Sequence, residues 1–345
     1  MGDIRFAVIG LGIGALHLSA IKQQKGAVAT ALCDLNEELL KEKADEYEVP
    51  FICTDYRELL TRDDIDAVCV TTPDHLHRKM VEDFLAAGKH VLCEKPLALN
   101  SEDCQAMLDA AKKADTYLMV GQVCRMTPAF VYAKQLVEEG VIGELFFVEA
   151  EYAHDYSHMG KCWRNDPEIN RHPFIGGGCH AVDLLRWIAG NPTEVYGITN
   201  KKVLTDWPCD DSGIAVMKFP NDVMGKVFVS TGCKRNYTMR TVLYGTKGTL
   251  VLDNTSSTVS IFKEEFEGKT SAWDRGMENI EMKLSIEVNN HNIPGEIEEF
   301  CNVINGKQPL EVTGYEGAAT VAVCEAVIES ARTGLPQKVK YLPKE

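Results

Sequence analysis

Phe6-Ala7-Val8-Ile9-Gly10-Leu11-Gly12-Ile13-Gly14-Ala15 is the stretch whose reading decides the fold. An apolar run ends in glycine, and the residues after it fit G-x-G-x-x-A, with Gly10, Gly12 and Ala15 in the three positions. The first glycine permits a tight turn, the second lets backbone approach a pyrophosphate, and the third, small residue lets a helix pack close on a sheet. A helix opening there aims its N–H groups at phosphate. The pattern alone is weak, but a strand before it and a helix after it supply the context it requires. Gly10, Gly12, Ile13 and Gly14 are therefore expected along a dinucleotide.

Outward from this motif, apolar runs recur at Val28–Cys33, Ala67–Val70, His90–Cys93 and Tyr117–Val120. Continuous apolar runs suit strands buried on both faces. Helical patterns lie between them at 13–24, 36–47, 74–87 and 101–114, with Asn36 and Ser101 as expected N-caps and Gly88 as a stop. Alternating strands and helices imply right-handed crossovers and a doubly wound parallel sheet. Asp34 ends the second strand, where a carboxylate accepts hydrogen bonds from a ribose 2′-hydroxyl and repels a 2′-phosphate. No arginine follows it immediately, so the cofactor expected is NAD rather than NADP. Ligands gather beyond the carboxyl ends of such strands, which adds Thr72, Pro73, Glu94, Lys95 and Gln122 to the expected crevice. Lys95, at a strand end in Glu94-Lys95-Pro96, can orient a hydroxyl and ease its deprotonation.

The second half reads differently. A helix near 128–139 precedes closely spaced strand signals at 145–152, 194–203, 213–219, 223–230, 239–244, 248–252 and 257–262. Pro220-Asn221-Asp222 and Gly245-Thr246-Lys247-Gly248 supply turns between them. The expectation is a largely antiparallel sheet with helices at 180–189, 295–305 and 315–333 on one face, and an exposed loop at 264–280. The fold class is α/β, with residues 1–123 as an NAD-binding Rossmann domain. Residues 124–345 are expected to form a substrate-binding α+β domain with a large open, mostly antiparallel sheet.

Bulk properties narrow the partners. The chain has 345 residues and a formal charge of −15. So acidic a surface repels nucleic acid and anionic lipid. Twelve cysteines include no CxxC pair and sit mostly in apolar or helical patterns, which predicts small buried hydrophobes in a reducing, cytoplasmic setting. No signal-peptide layout opens the chain, and no apolar run reaches the roughly 18 residues of a membrane span.

Gly176-Gly177-Gly178-Cys179-His180-Ala181-Val182-Asp183 carries the second chemical signal. The glycines permit close approach of backbone to a ligand. His180 and Asp183 share a helix face, and histidine is the usual general base near neutral pH. A cluster of His154, His158, Cys162, His172, Cys179 and His180 raises the question of a metal. However, Tyr152–His158 reads as a strand running into a loop, HExxH is absent, and no ligand set has zinc-site spacing. The expectation is no metal, and a substrate-facing loop that includes His154, Tyr156 and His158.

Together these motifs resemble the Gfo/Idh/MocA family of sugar and cyclitol oxidoreductases, over nearly the whole chain. The resemblance rests on Gly10-x-Gly12-x-x-Ala15, Thr72-Pro73-Asp74-His75, Glu94-Lys95-Pro96, Arg125 in Cys124-Arg125-Met126-Thr127-Pro128, and His180-x-x-Asp183-Leu184. It implies that Lys95 and His180 face a substrate hydroxyl, with Arg125 and Cys179 among the substrate contacts; Asp183, on the His180 face of the helix, is the third catalytic candidate and could replace the acid that position 176 lacks. It also implies that His75 belongs to the cofactor site and that Trp163-Arg164 reaches the nicotinamide region. The expected assembly is a homodimer or homotetramer formed through the open sheet. One departure stands out. Many family dehydrogenases carry aspartate four residues before the histidine, where this chain has Gly176. Three activities follow as alternatives: a dehydrogenase acting on a sugar, glycoside or cyclitol; a glycoside-cleaving enzyme that oxidises transiently with bound NAD and eliminates; or a non-catalytic sugar or NAD sensor. The presence of both Lys95 and His180 argues against the last.

Overall fold

The computed structural model describes residues 2–263 and 280–344. The apolar runs of the first third form β1 (Ile4–Ile9), β2 (Ala27–Cys33), β3 (Phe51–Cys53), β4 (Ala67–Val70), β5 (His90–Glu94) and β6 (Leu118–Gly121). All pair in parallel, in the order β3-β2-β1-β4-β5-β6. β1, β4, β5 and β6 are buried along nearly their whole length, which is why their sequences run apolar rather than alternating. Between the strands lie α1 (Leu11–Gln23), α2 (Glu37–Tyr47), α3 (His77–Ala86) and α4 (Ser101–Lys113). Asn36 caps α2, its side-chain oxygen accepting from the Glu38 and Leu39 N–H groups at 3.1 Å. The cap of α4 is Asn100, which accepts from the Asp103 N–H at 2.8 Å. Ser101, expected in that role, is instead the first helical residue, because the amide side chain one position earlier already reaches the N–H of the third helical residue. Gly88, just beyond α3, has φ 71°, a conformation that favours glycine.

The rest of the chain forms α5 (Pro128–Glu138), β7 (Leu145–Ala153), the one-turn α6 (Pro173–Gly176), α7 (Cys179–Ala189), β8 (Glu194–Asn200), β9 (Ser212–Lys218) and β10 (Met224–Ser230). Then come β11 (Thr238–Gly245), β12 (Gly248–Asp253), β13 (Thr258–Lys263), β14 (Ile280–Ser285), α8 (Ile293–Ile304), α9 (Gly314–Thr333) and β15 (Gln337–Lys338). Nine strands make one sheet, ordered β14-β13-β12-β11-β7-β10-β9-β8-β15. Every pairing is antiparallel except β7 with β10. β9 shows how the sheet has two faces: Gly213, Ala215 and Met217 are buried, while Ile214, Val216 and Lys218 are exposed. The loop expected at 264–280 lies outside the described residues up to 279, and β14 begins at Ile280.

Two compact units result. The first comprises Met1–Val123, Asn292–Ala322 and Tyr341–Glu345; the second comprises Cys124–His291 and Val323–Lys340. The sequence reading drew a single cut between 123 and 124, whereas the chain returns to the first unit near its end. The reason is packing. Helix α8 lies on α1, the Phe300 ring sits 6.3 Å from Phe6, and the Val312 carbonyl accepts the Val120 N–H at 3.0 Å, so this segment continues the edge at β6.

Candidate active site

In the first unit the turn after β1 is shaped for a ligand. Gly10 has φ 86°, and a Cβ there would lie 2.8 Å from the Thr71 carbonyl oxygen, so only glycine fits. A Cβ on Gly12 would meet nothing within 4 Å, so its backbone faces open space. A Cβ on Gly14 would collide with the Thr71 hydroxyl and lie 2.9 Å from Val8. The close helix–strand contact expected of Ala15 therefore falls on Gly14, which is buried while Ala15 is half-buried. Ile13 is exposed. Asp34 closes the turn, its carboxylate accepting from the Leu11 N–H at 2.6 Å and the Asn36 N–H at 2.8 Å. A carboxylate offers about four acceptor positions, so capacity remains for a ribose. A cavity of about 860 Å³ opens at these strand ends, lined by Gly10, Asp34, Tyr56, Thr72, Pro73 and Met80 among others. The open Gly12 backbone, the acceptor at Asp34 and this cavity fit a dinucleotide.

The other strand ends are held by a residue that sequence reasoning missed. His77 is fully buried at the start of α3. One ring nitrogen lies 3.0 Å from the Thr72 carbonyl, and the other lies 3.0 Å from the Pro96 and 3.3 Å from the Leu97 carbonyl. It thereby ties the Thr72-Pro73 turn to the loop carrying Lys95. Only its place two residues beyond His75 hinted at it. His75 itself is exposed on a 3-10 turn. Glu94 is buried and accepts the Lys95 N–H at 3.0 Å. Gln122 is also buried, with its amide nitrogen 3.4 Å from the Thr320 hydroxyl.

The second unit holds the histidine. His180 sits in the first turn of α7 and is 2% exposed. The Cys124 thiol lies 3.3 Å from its Nδ1. Its ring stacks on Tyr152 with centroids 6.1 Å apart and on His291 at 5.5 Å. Tyr152 shares a 2.9 Å hydrogen bond with the Tyr156 hydroxyl and lies 3.2 Å from His154 Nδ1. The Tyr237 hydroxyl is 3.1 Å from His291. Burial pushes the Tyr152 and Tyr237 phenols well above their ordinary values, so both stay neutral hydroxyls. The result is a cluster of imidazoles, phenols and one thiol. Cys124, Tyr237 and His291 were not foreseen; they come from three distant stretches with no shared motif. His158 is exposed on the turn beyond β7.

The three glycines before His180 have a reason other than approach to a ligand. A Cβ on Gly176 would collide with the Arg171 guanidinium, one on Gly177 with the Tyr152 ring, and one on Gly178 with Val229. Arg171 also donates to the Gly176 carbonyl at 2.9 Å. Its guanidinium lies 5.0 Å from the Trp163 ring, and that of Arg164 lies 4.4 Å from it. Cys179 is buried behind this turn. Asp183 is fully buried and gripped by Arg125, which donates from Nε at 2.9 Å and Nη2 at 2.7 Å, while Arg186 approaches to 3.4 Å. No disulfide joins the twelve cysteines, and among the described residues no helix is long and apolar enough to cross a membrane.

Comparison with known proteins agrees with this architecture. Residues 4–122 match a family described as an oxidoreductase family with an NAD-binding Rossmann fold, and residues 130–251 match the GFO/IDH/MocA C-terminal domain. A myo-inositol 2-dehydrogenase of Thermotoga maritima is 28% identical over 91% of this chain and 92% of its own length. A levoglucosan dehydrogenase of Pseudarthrobacter phenanthrenivorans is 28% identical over 66% of this chain and 65% of its own length. The structure of a levoglucosan dehydrogenase in complex with NADH superposes with a TM-score of 0.87 at 23% identity, covering 99% of this chain and all of that one. NAD is the cofactor of the Rossmann domain so matched, and the chain belongs to the Gfo/Idh/MocA family of NAD-dependent oxidoreductases.

Proposed function

We propose that the protein interconverts a ring hydroxyl and ketone of a sugar, glycoside or cyclitol. The observation that carries this is the His180 cluster: a buried imidazole among Tyr152, His154, Tyr156, Tyr237 and His291, with hydrogen-bonding groups spaced around aromatic faces. Relatives named for inositol and levoglucosan support the substrate class. Gly10, Gly12, Ile13 and Gly14 would hold the pyrophosphate and Asp34 the ribose. Thr72, Pro73, His75, Glu94 and Gln122 would line the rest of the cofactor site, with Trp163 and Arg164 reaching the nicotinamide. NAD, when bound, supplies the hydride acceptor. His180 takes the proton of the substrate hydroxyl, and the Lys95 ammonium stabilises the oxyanion as charge develops. Arg125, His154, Tyr156, His158 and Cys179 form the polar surroundings of the substrate. Asp183 belongs with them through Arg125, whose guanidinium it fixes. Assembly as a homodimer or homotetramer fits the exposed apolar side chains Ile198, Ile214, Val216 and Met224 on one face of the nine-stranded sheet.

One observation favours the glycoside-cleaving alternative. The space that an aspartate at 176 would need is filled by the Arg171 guanidinium, so the charge beside the site is positive where many relatives have it negative. Site changes of this kind redirect chemistry on a shared fold. Following reduced nicotinamide across a panel of sugars, cyclitols and glycosides, with analysis for released aglycone, decides between the two. Net reduced cofactor supports the dehydrogenase. Aglycone release without net reduction supports elimination. Neither signal on any member of the panel refutes the proposal.

A further inference from the structure

Two buried titratable residues of the first unit, His17 and Glu296, have no part in the roles given so far, though both face Glu94. His17, on α1, is completely buried, as is Glu296 near the start of α8. His17 Nε2 lies 3.6 Å from Glu94 Oε1 and 3.5 Å from Glu296 Oε2. Its Nδ1 faces the Ile13 carbonyl at 3.5 Å. The second oxygen of Glu94 accepts the Lys95 N–H at 3.0 Å. Gly121 makes room for the pair: a Cβ there would lie 3.4 Å from Glu296 Oε1 and 3.3 Å from Glu94 Cα. His17 Nε2 and both Glu296 oxygens are buried without a close hydrogen-bond partner.

Two carboxylates facing each other away from water require compensating positive charge. Two groups supply it. Burial alone disfavours the His17 imidazolium, but Glu296 and Glu94 outweigh it and raise its pKa above the ordinary value. Burial raises the Glu296 pKa, with His17 and Lys95 opposing. Imidazolium and ammonium against two carboxylates leave the cluster neutral without any further ion. The other titratable groups acting there are the Cys69 thiol of β4, which burial holds neutral, and beyond it Cys301 of α8.

We propose that His17 and Glu296 are positioning residues for Lys95. Together they hold Glu94, whose carboxylate anchors the Lys95 backbone, and Glu296 sets a negative charge within electrostatic reach of the Lys95 amine. This rests on the reading of Lys95 as the group that faces the substrate hydroxyl. Neither residue touches substrate in this reading, so the loss of either reaches the chemistry only through Glu94 and Lys95.

The test compares Glu296→Gln, Glu296→Asp, His17→Gln and Lys95→Ala as full-length proteins with NAD. Glu296→Gln removes a negative charge near Lys95, so the ammonium loses its proton at lower pH. The basic limb of the kcat/KM profile then moves down by roughly one pH unit. Misplacement lowers kcat about 10- to 100-fold with little change in KM. Glu296→Asp, which keeps the charge, restores the limb. Histidine ¹⁵N resonances of the unsubstituted protein, assigned with His17→Gln, show whether His17 stays imidazolium at neutral pH even if a variant fails to fold. A near-normal rate in Lys95→Ala overturns the reading of Lys95 itself. A normal Lys95→Ala defect with a Glu296→Gln profile superimposable on the parent overturns the positioning role alone. A neutral His17 ring overturns the charge pattern. So does a stoichiometric divalent metal surviving chelator dialysis, because among the described residues these three side chains are the His, Cys, Asp or Glu group whose ligand atoms lie within 4.8 Å of one another.

Discussion

Replacing Asp183 by asparagine keeps the outline of the side chain and removes one charge. In the folded protein that charge faces two guanidiniums: Arg125 through contacts of 2.9 and 2.7 Å, and Arg186 at 3.4 Å. All three side chains are nearly or fully buried. An amide can accept from one guanidinium with its oxygen, but its NH₂ group then points at the other, and two buried cations lose their counter-charge. Breaking a buried pair in this way costs about 3–5 kcal/mol. At roughly 2–4 °C per kcal/mol for a unit of this size, the melting temperature should fall by about 6–20 °C. The folded fraction should keep most of its turnover, with a modest rise in KM if Arg125 shifts. Thermal melts and initial rates on one preparation measure both. Adding Arg125→Met to Asp183→Asn should recover part of the lost stability, since one uncompensated cation is then gone. A hundredfold fall in kcat with an unchanged melting temperature would refute the structural argument and return Asp183 to the chemistry.

The remaining predictions concern the two chemical groups, the cofactor and pH. Lys95→Ala and His180→Ala should each lower turnover at least roughly a hundredfold while leaving the fold and NAD affinity nearly intact; a near-normal rate in either removes that residue from the mechanism. Calorimetry should show NAD binding more tightly than NADP, and Asp34→Ala should narrow the gap by weakening NAD; equal affinities in the parent protein would contradict the role of Asp34. His172 has its pKa pulled down to about 4 by burial, and its Nδ1 accepts the Phe174 N–H at 3.2 Å. A depressed histidine stabilises above its unfolded value and loses that contribution as pH falls through the folded one. Denaturation midpoints should therefore drop between about pH 6.5 and 4, and His172→Asn should flatten that part of the curve.

What could be read from the residues follows from how local the controlling physics is. The parallel sheet was legible because buried strands run apolar without interruption and the Gly10–Gly14 turn has its own backbone requirement. β14 was missed although Ile280, Met282 and Leu284 alternate with polar residues, because it follows a long polar stretch that argued for a loop. Asn100 took the cap expected of Ser101 because adjacent capping residues compete, and a one-residue shift decides between them. Lys95, His180, Arg125 and Asp183 were visible in motifs; that Arg125 grips Asp183 across 58 residues of chain was not. His17, His77 and Glu296 were invisible for the same reason: each acts through a carbonyl or carboxylate supplied by a distant segment.

The run Gly176-Gly177-Gly178 shows how a correct signal can carry the wrong cause. Glycines beside a histidine suggested a backbone cleared for a ligand, at a position, 176, where the family resemblance leads one to expect an aspartate. The structure fills all three positions from elsewhere, with the Arg171 guanidinium, the Tyr152 ring and Val229. These contacts differ in what a side chain at each glycine would do. Arg171 is long and can swing, so a small residue at 176 displaces a charge more than it strains the fold. Tyr152 is a rigid ring tied to Tyr156 and stacked on His180, so a methyl group at 177 must push that stack. The glycines at 176 and 177 therefore act through their neighbours: one leaves room for the Arg171 guanidinium, the other for the ring that stacks on His180.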